Sequence, residues 1–291
     1  MSNLSGMREI LSLEQIPASP AGDQSLLTML NNDDAELDEL AGLIEMNPGL
    51  TASIISMSNC AYFAPPQPVY TVIDAMVKVL GLRLVRSMSL AVLMADSLNI
   101  GSCSSFSLGR YWHRALSTAQ LSQLLAPLVP QGAVLKEAAY LCGLLHEFGI
   151  LLLVHVFGNK MNDVFVAIEK DTSGQLSTDI ESEILGVDHA IAGSLLAQRW
   201  QLPEEVATVC ADFRHWDYVG DRWKYARTIA VAKSYVKILE TSESSVDLEL
   251  LHTAELELGI DSKRLGGVLE KFSAEFEGIR AIANQLAGGD T

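Results

Sequence analysis

Leu144-Leu145-His146-Glu147-Phe148-Gly149 sets a histidine and a carboxylate side by side inside an apolar run that extends from Ala138 to Phe157. The run is long enough to suggest a membrane span. His146, Glu147 and His155 interrupt it, however, and Gly143, Gly149 and Gly158 punctuate it, so a buried core helix is the better reading. Neighbouring helix positions lie about 100° apart, so His146 and Glu147 act on one point only if that point sits beside the helix. A buried carboxylate costs several kcal/mol unless a cation or hydrogen-bond donors meet it. Glu147 therefore requires a partner, either a metal or a polar network.

Outward from this stretch, helical period dominates and alternating strand-like runs are scarce. Leu37, Leu40, Ala41 and Ile44 fall on one helical stripe behind an Asp33-x-x-Glu36 opening that resembles a capping box, and Asn47-Pro48 stops that helix and starts another. Leu50, Ile54 and Met57 continue the stripe to Ala64-Pro65-Pro66-Gln67-Pro68, a rigid surface loop whose prolines exclude helix interior. Thr71 is a suitable N-cap for the next helix, and Gly81 separates it from another that runs through Leu98. The serine-rich break from Gly101 to Ser107 is the best internal boundary. Beyond it, helices are expected near 108–128, 134–157, 160–170, 178–200, 203–215 and 221–240. Leu265, Leu269, Phe272, Phe276, Ile279, Ala283 and Leu286 then form a seam that can close the core or zip against a partner helix, with intramolecular packing preferred because Gly266, Gly267 and Gly278 weaken it. The tail from Gly288 to Thr291 reads as disordered. The fold class is all-α, a bundle of small helices followed by a second helical bundle.

At 291 residues, 49% hydrophobic and 19% charged, the chain has the length of about two ordinary domains and enough apolar material for a core. Mean hydropathy is +0.23, yet Met1 to Ile10 lacks the basic-then-apolar order of a secretory signal, so a cytoplasmic location without membrane insertion is expected. Cys60, Cys103, Cys142 and Cys210 stand far apart and read as reduced thiols. A formal charge of −16 repels phosphate backbones and anionic lipid, which argues against nucleic-acid binding. Lys78, Arg83 and Arg86 are the local exception, and the helix–turn–helix outline from Thr71 to Leu98 invites that reading. Packing units and a solvated helix face are the preferred interpretation.

Chemistry-bearing residues recur on the other helices. His113 precedes His146 by 33 residues, a spacing that suits two antiparallel neighbours; Asp188-His189 and Phe213-Arg214-His215-Trp216 add two more histidines. Imidazoles and carboxylates from several helices are how a bundle builds a divalent-metal site. His155 and His252 are read instead as hydrogen-bonded core histidines.

The order of these residues resembles the HDOD family, a signalling branch of the HD superfamily of metal-dependent phosphohydrolases. The resemblance spans roughly Ile16 to Asp217. Its blocks are Ile16-Pro17, Leu37 to Asn59 with Asn47-Pro48-Gly49-Leu50-Thr51, Ser58-Asn59-Cys60-Ala61-Tyr62-Phe63, Ile73-Asp74-Ala75-Met76 with Leu80-Gly81-Leu82, Gly143 to Gly149, Gly186-Val187-Asp188-His189-Ala190, and Trp200-Gln201-Leu202-Pro203. It implies an N-terminal segment 1–15, an N-terminal helical lobe 16–100, an HD-like lobe 108–240, and C-terminal helices 241–291 that pack on the core or a partner. In HD enzymes a histidine, a His-Asp pair and a later aspartate bind the metal that activates water for attack on phosphorus. By resemblance His113 matches the first ligand, His146 the second, and Glu147 stands one methylene longer where the aspartate belongs. Ile150 replaces the lysine that cyclic-nucleotide hydrolases favour, and Ala232-Lys233 occupies the position of the late aspartate. An ammonium cannot ligate a metal, but it can replace one by pairing with Glu147. His113, His146 and Glu147 are thus expected as a vestigial or sparsely occupied metal set, with His189, His215 and Lys233 as pocket residues and no obligatory cofactor. The expected function is a bacterial, non-catalytic regulatory module acting on a protein partner or a small ligand such as a nucleotide. A metal-dependent phosphohydrolase is the competing reading.

Overall fold

A computed structural model of the chain describes residues 29–30, 36–60, 62–171, 176–241 and 246–288, and among these there is no strand. The N-terminal segment 1–15, Ile16-Pro17, Asp33 of the capping box, Ala61 and residues 289–291 lie outside the described residues. The architecture is all-α, in two compact units that the chain enters more than once.

Among the described residues, the smaller unit comprises 29–30, 36–60, 62–97, 108–117 and 269–288. Helix α1 (Leu37–Glu45) buries Leu40, Ala41 and Ile44, and α2 (Pro48–Ser58) follows at once because Asn47 accepts the Leu50 amide while Pro48 fills the first helical position. After the proline loop, Thr71 caps α3 (Val72–Asp74) by accepting the Asp74 amide, and the chain continues as a π-helical stretch, Ala75–Leu80. Gly81 ends it at φ 78°, and α4 (Leu82–Asp96) begins. Arg86 is buried on α4 and Lys78 pairs with Asp74 at 2.7 Å, so Lys78, Arg83 and Arg86 form no common exposed patch. The proline loop is anchored through Tyr62, whose hydroxyl donates to Glu275 and whose ring lies where a side chain at Gly278 would go.

The larger unit holds, among the described residues, 98–107, 118–171, 176–241 and 246–268. Helix α5 (Leu108–Leu125) starts in the smaller unit and ends in this one, followed by α6 (Lys136–Leu145), α7 (Phe148–Phe157), α8 (Lys160–Lys170), α9 (Ser177–Leu185), α10 (His189–Arg199), α11 (Glu204–Asp212), α12 (Trp223–Glu240) and α13 (Leu248–Leu258). Helix α14 (Ser262–Leu286) begins here and has its remaining residues in the smaller unit. Of its seam, Leu265, Phe272, Phe276, Ile279 and Ala283 are buried within the chain.

Two expected helices are each broken in two. The run expected over 134–157 turns at His146 and Glu147, and that over 178–200 breaks where Gly186 takes a left-handed conformation and Asp188 caps α10 by accepting the Ile191 amide. Apolar periodicity carries through both breaks because the residues on either side face the same core. Lys136–Phe157 is long and apolar enough to cross a membrane by length and composition, and 72% of its most apolar window is buried within the protein.

Candidate functional site

The turn between α6 and α7 interrupts the helix at His146 and Glu147, and the glycines on both sides let the flanking helices pack closely on their neighbours. Gly143 lies so near Ala119 on α5 that a Cβ would come within 2.7 Å of its Cα. At Gly149 a Cβ would overlap the His189 carbonyl oxygen and lie 2.5 Å from the Gly193 amide on α10. Helices α7 and α10 therefore meet backbone to backbone, which sets the start of α10 beside the Glu147 turn.

Glu147 is gripped at both carboxylate oxygens. The Lys233 ammonium on α12 stands 2.5 Å from Oε2, and Arg214, just beyond α11, donates to Oε1 at 2.6 Å. The carboxylate side chain is 12% exposed, Lys233 22% and Arg214 17%. Burial alone would push the Glu147 pKa up, but Lys233 foremost, together with His146, Arg214 and His189, outweighs it and holds the carboxyl well below the usual range.

The neighbouring imidazole responds in the other direction. His146 Nδ1 donates to the Gly143 carbonyl at 2.7 Å, and Nε2 lies 3.7 Å from Glu147 Oε2, beyond hydrogen-bond reach. Burial first, then the Lys233 charge, push its pKa down to about 3, so the ring is neutral at pH 7. Phe213 stacks edge-on against it at 5.0 Å and lies beneath the Arg214 guanidinium at 4.3 Å. His189 is equally buried, its Nδ1 donating to Glu181 at 2.5 Å while the same carboxylate oxygen accepts the His189 amide. His146 Nε2, His189 Nε2 and Arg214 Nη1 are buried and have no hydrogen-bond partner among the described residues.

The residues singled out from the sequence fall into distinct places. His146, Glu147 and Lys233 are brought together, and His189 is near enough to act on the Glu147 charge. His113 belongs to the smaller unit, where it is buried with Nε2 3.4 Å from the Phe276 carbonyl oxygen and its ring against that of Phe276. His215 is exposed beside Asp212. His155 accepts the Asn99 amide, whereas His252 is exposed on the outer face of α13 and is no core histidine: its position alternates out of the Leu251, Ala254 and Leu258 stripe. Arg214 and Glu181 were not singled out. Arg214 was overshadowed by the adjacent histidine, and Glu181 stands eight residues before His189 with no local signal.

A divalent metal of the kind the resemblance implies does not fit these residues. Among the described residues no group of three His, Cys, Asp or Glu side chains could hold an ion, and both Glu147 oxygens already face cations. What the arrangement provides is a pinned carboxylate, a neutral imidazole acceptor and a guanidinium with one nitrogen to spare, set just below the surface.

The HDOD domain model matches residues 16–215. The crystal structure of a candidate signal transduction protein from Marinobacter aquaeolei VT8 superposes with a TM-score of 0.80 at 25% identity, covering 93% of this chain and 60% of that one. A candidate phosphohydrolase from Shewanella amazonensis SB2B superposes with a TM-score of 0.76 at 24% identity over 97% of each chain and shares the fold. An uncharacterized protein of Treponema pallidum (strain Nichols) is 24% identical over 230 residues, which are 78% of this chain and 43% of that protein. The chain thus spans less than half of this curated relative and three fifths of the Marinobacter structure.

Proposed function

Because the chain belongs to the HDOD family, we propose that it is a bacterial, cytoplasmic signal-transduction module that works by binding a protein partner or small ligand and not by turnover. One observation carries this reading: the carboxylate that a metal would need is neutralised by Lys233 at 2.5 Å and Arg214 at 2.6 Å. Metal catalysis of phosphoester hydrolysis depends on a dication that polarises the phosphoryl oxygen and lowers the pKa of its bound water. An ammonium does neither. The description of the Marinobacter relative as a signal transduction protein supports the same direction.

The test is a phosphatase assay on the purified chain with added manganese, using a generic phosphoester and a panel of nucleotides, alongside elemental analysis of the protein. Background hydrolysis and substoichiometric metal are expected. Robust turnover that disappears in His146→Ala would establish the phosphohydrolase reading instead.

A further inference from the structure

We infer that a groove on the larger unit, sharing no residue with the Glu147 cluster, binds a small organic anion with an apolar body. Its cavity of about 480 Å³ lies between the segment 126–135, the first residues of α6 and the link from α13 to α14. That volume falls in the range of small-molecule sites, which combine apolar walls with a few placed polar groups. The apolar part comes from Leu128, Val129 and Val134, all buried, and from Leu135, which is 60% exposed at the rim. The polar part is two cations and two carboxylates. Lys136 and Arg264 line the groove, are exposed, and among the described residues have no ion-pair partner. The carboxylates are engaged elsewhere: Asp261 Oδ1 accepts the Arg264 amide at 2.9 Å, and Glu137 has a partner other than these two cations. In a chain with 36 acidic and 20 basic residues, two cations on one cavity with a carboxylate on neither mark a place where an added anion is stabilised.

The walls are held in place by the protein itself. Leu135 donates its amide to the Tyr225 hydroxyl on α12 at 3.1 Å. Gly259, at φ 70°, brings the link from α13 to α14 so near Pro130 that a Cβ there would stand 3.1 Å from the proline ring. A site shaped in advance loses less binding energy to ordering. Its concave form suits a small molecule better than a protein face, which needs a broad contact of about 800 Å² per partner. The inference goes beyond the regulatory reading above by giving it a ligand class and a place, and its argument is independent of the chemistry at Glu147.

Anilinonaphthalene sulfonate, an anion on an aromatic body whose fluorescence rises in apolar surroundings, is the probe to titrate into the full chain. One saturable equivalent is expected in the wild type. Phenyl phosphate and decanoate, each an anion on an apolar body, serve as competitors: displacement by either supports the inference and tells a ring from a chain. Inorganic phosphate and benzyl alcohol, each with one of the two features, should displace the probe at least about tenfold less well. Lys136→Gln and Arg264→Gln should each weaken binding about tenfold and the double variant about 100-fold, whereas Lys263→Gln, on α14 but outside the cavity lining, should leave it unchanged. Both cations are exposed, so these variants keep the fold, which helical circular dichroism and Tm verify; if the double variant does not fold, the two single variants decide. Variants that bind within about threefold of wild type overturn the inference, as does a wild type with no saturable equivalent. Phosphoester turnover by the wild type would overturn the regulatory reading and leave this inference standing, whereas an inert wild type blind to the probe overturns this inference alone.

Discussion

His146 is neutral in the folded protein, its pKa pushed down to about 3 by burial and then by Lys233, while an imidazole in the unfolded chain titrates near 6.5. Between those values the unfolded chain binds the extra proton, so the stability contributed by His146 is present above about pH 6.5 and lost as pH falls toward 3. Glu147 acts in the same sense, its depressed carboxyl contributing stability above the ordinary carboxylate range that is lost at lower pH. Urea unfolding at about pH 7, 6 and 5 should therefore show a wild-type decline that flattens in His146→Asn, and equal slopes for the two proteins would refute the assignment. Glu147→Gln leaves Lys233 and Arg214 facing each other without their anion. Breaking a fully buried pair costs about 3–5 kcal/mol, and with 12–22% exposure of these side chains a loss of about 2 kcal/mol is expected. The sequence made the partner of Glu147 necessary and resemblance pointed to Lys233. Arg214 escaped because, of the three consecutive residues beyond α11, Phe213 and Arg214 face the cluster while His215 is exposed, and adjacency to a histidine carries no information about which one turns inward.

Helices α7 and α10 cross with Gly149 and Gly193 at the contact, so that contact tolerates no added atom. Gly149→Ala must push the His189 carbonyl aside, and because the neighbour is backbone the cost should reach about 3 kcal/mol or more, at the upper end of overpacking. Gly266→Ala provides the contrast within a helix: nothing lies within 4 Å of its Cβ position on α14, and the substitution should stabilise by about 0.5–1 kcal/mol. Paired melts of the two variants check the argument, and it fails if Gly149→Ala melts with wild type. Element type was legible because the apolar stripes repeat with helical period, as in α1, where Leu40, Ala41 and Ile44 are buried. The breaks at 146–147 and 186–188 were not, since a break of two or three residues between helices that share a core leaves the stripe in register. The glycines near these breaks, Gly143, Gly149 and Gly186, read equally well as punctuation inside one helix.

Across the whole chain, 36 acidic residues against 20 basic ones leave a formal charge of −16, and this imbalance acts on stability as well as on the choice of partner. Local surface pairs such as Arg222 with Glu204 and Glu205 are screened by solvent and contribute little, whereas repulsion among the unbalanced carboxylates extends over a Debye length of about 10 Å at 0.1 M salt. Charge and fold class were both readable from composition and period, because each is a sum over many residues that survives local error. The sign of the salt effect follows from the same sum. If repulsion dominates, raising sodium chloride from about 20 mM to about 500 mM screens it, and Tm should rise by a few degrees; if attractive pairs dominated, it would fall. Sodium sulfate at matched ionic strength separates screening from surface exclusion, since sulfate adds stabilisation through the second route. A Tm that falls with sodium chloride would show that networks such as Glu147 with Lys233 and Arg214 outweigh the net charge, and would move the source of electrostatic stability from the molecule as a whole to that one cluster.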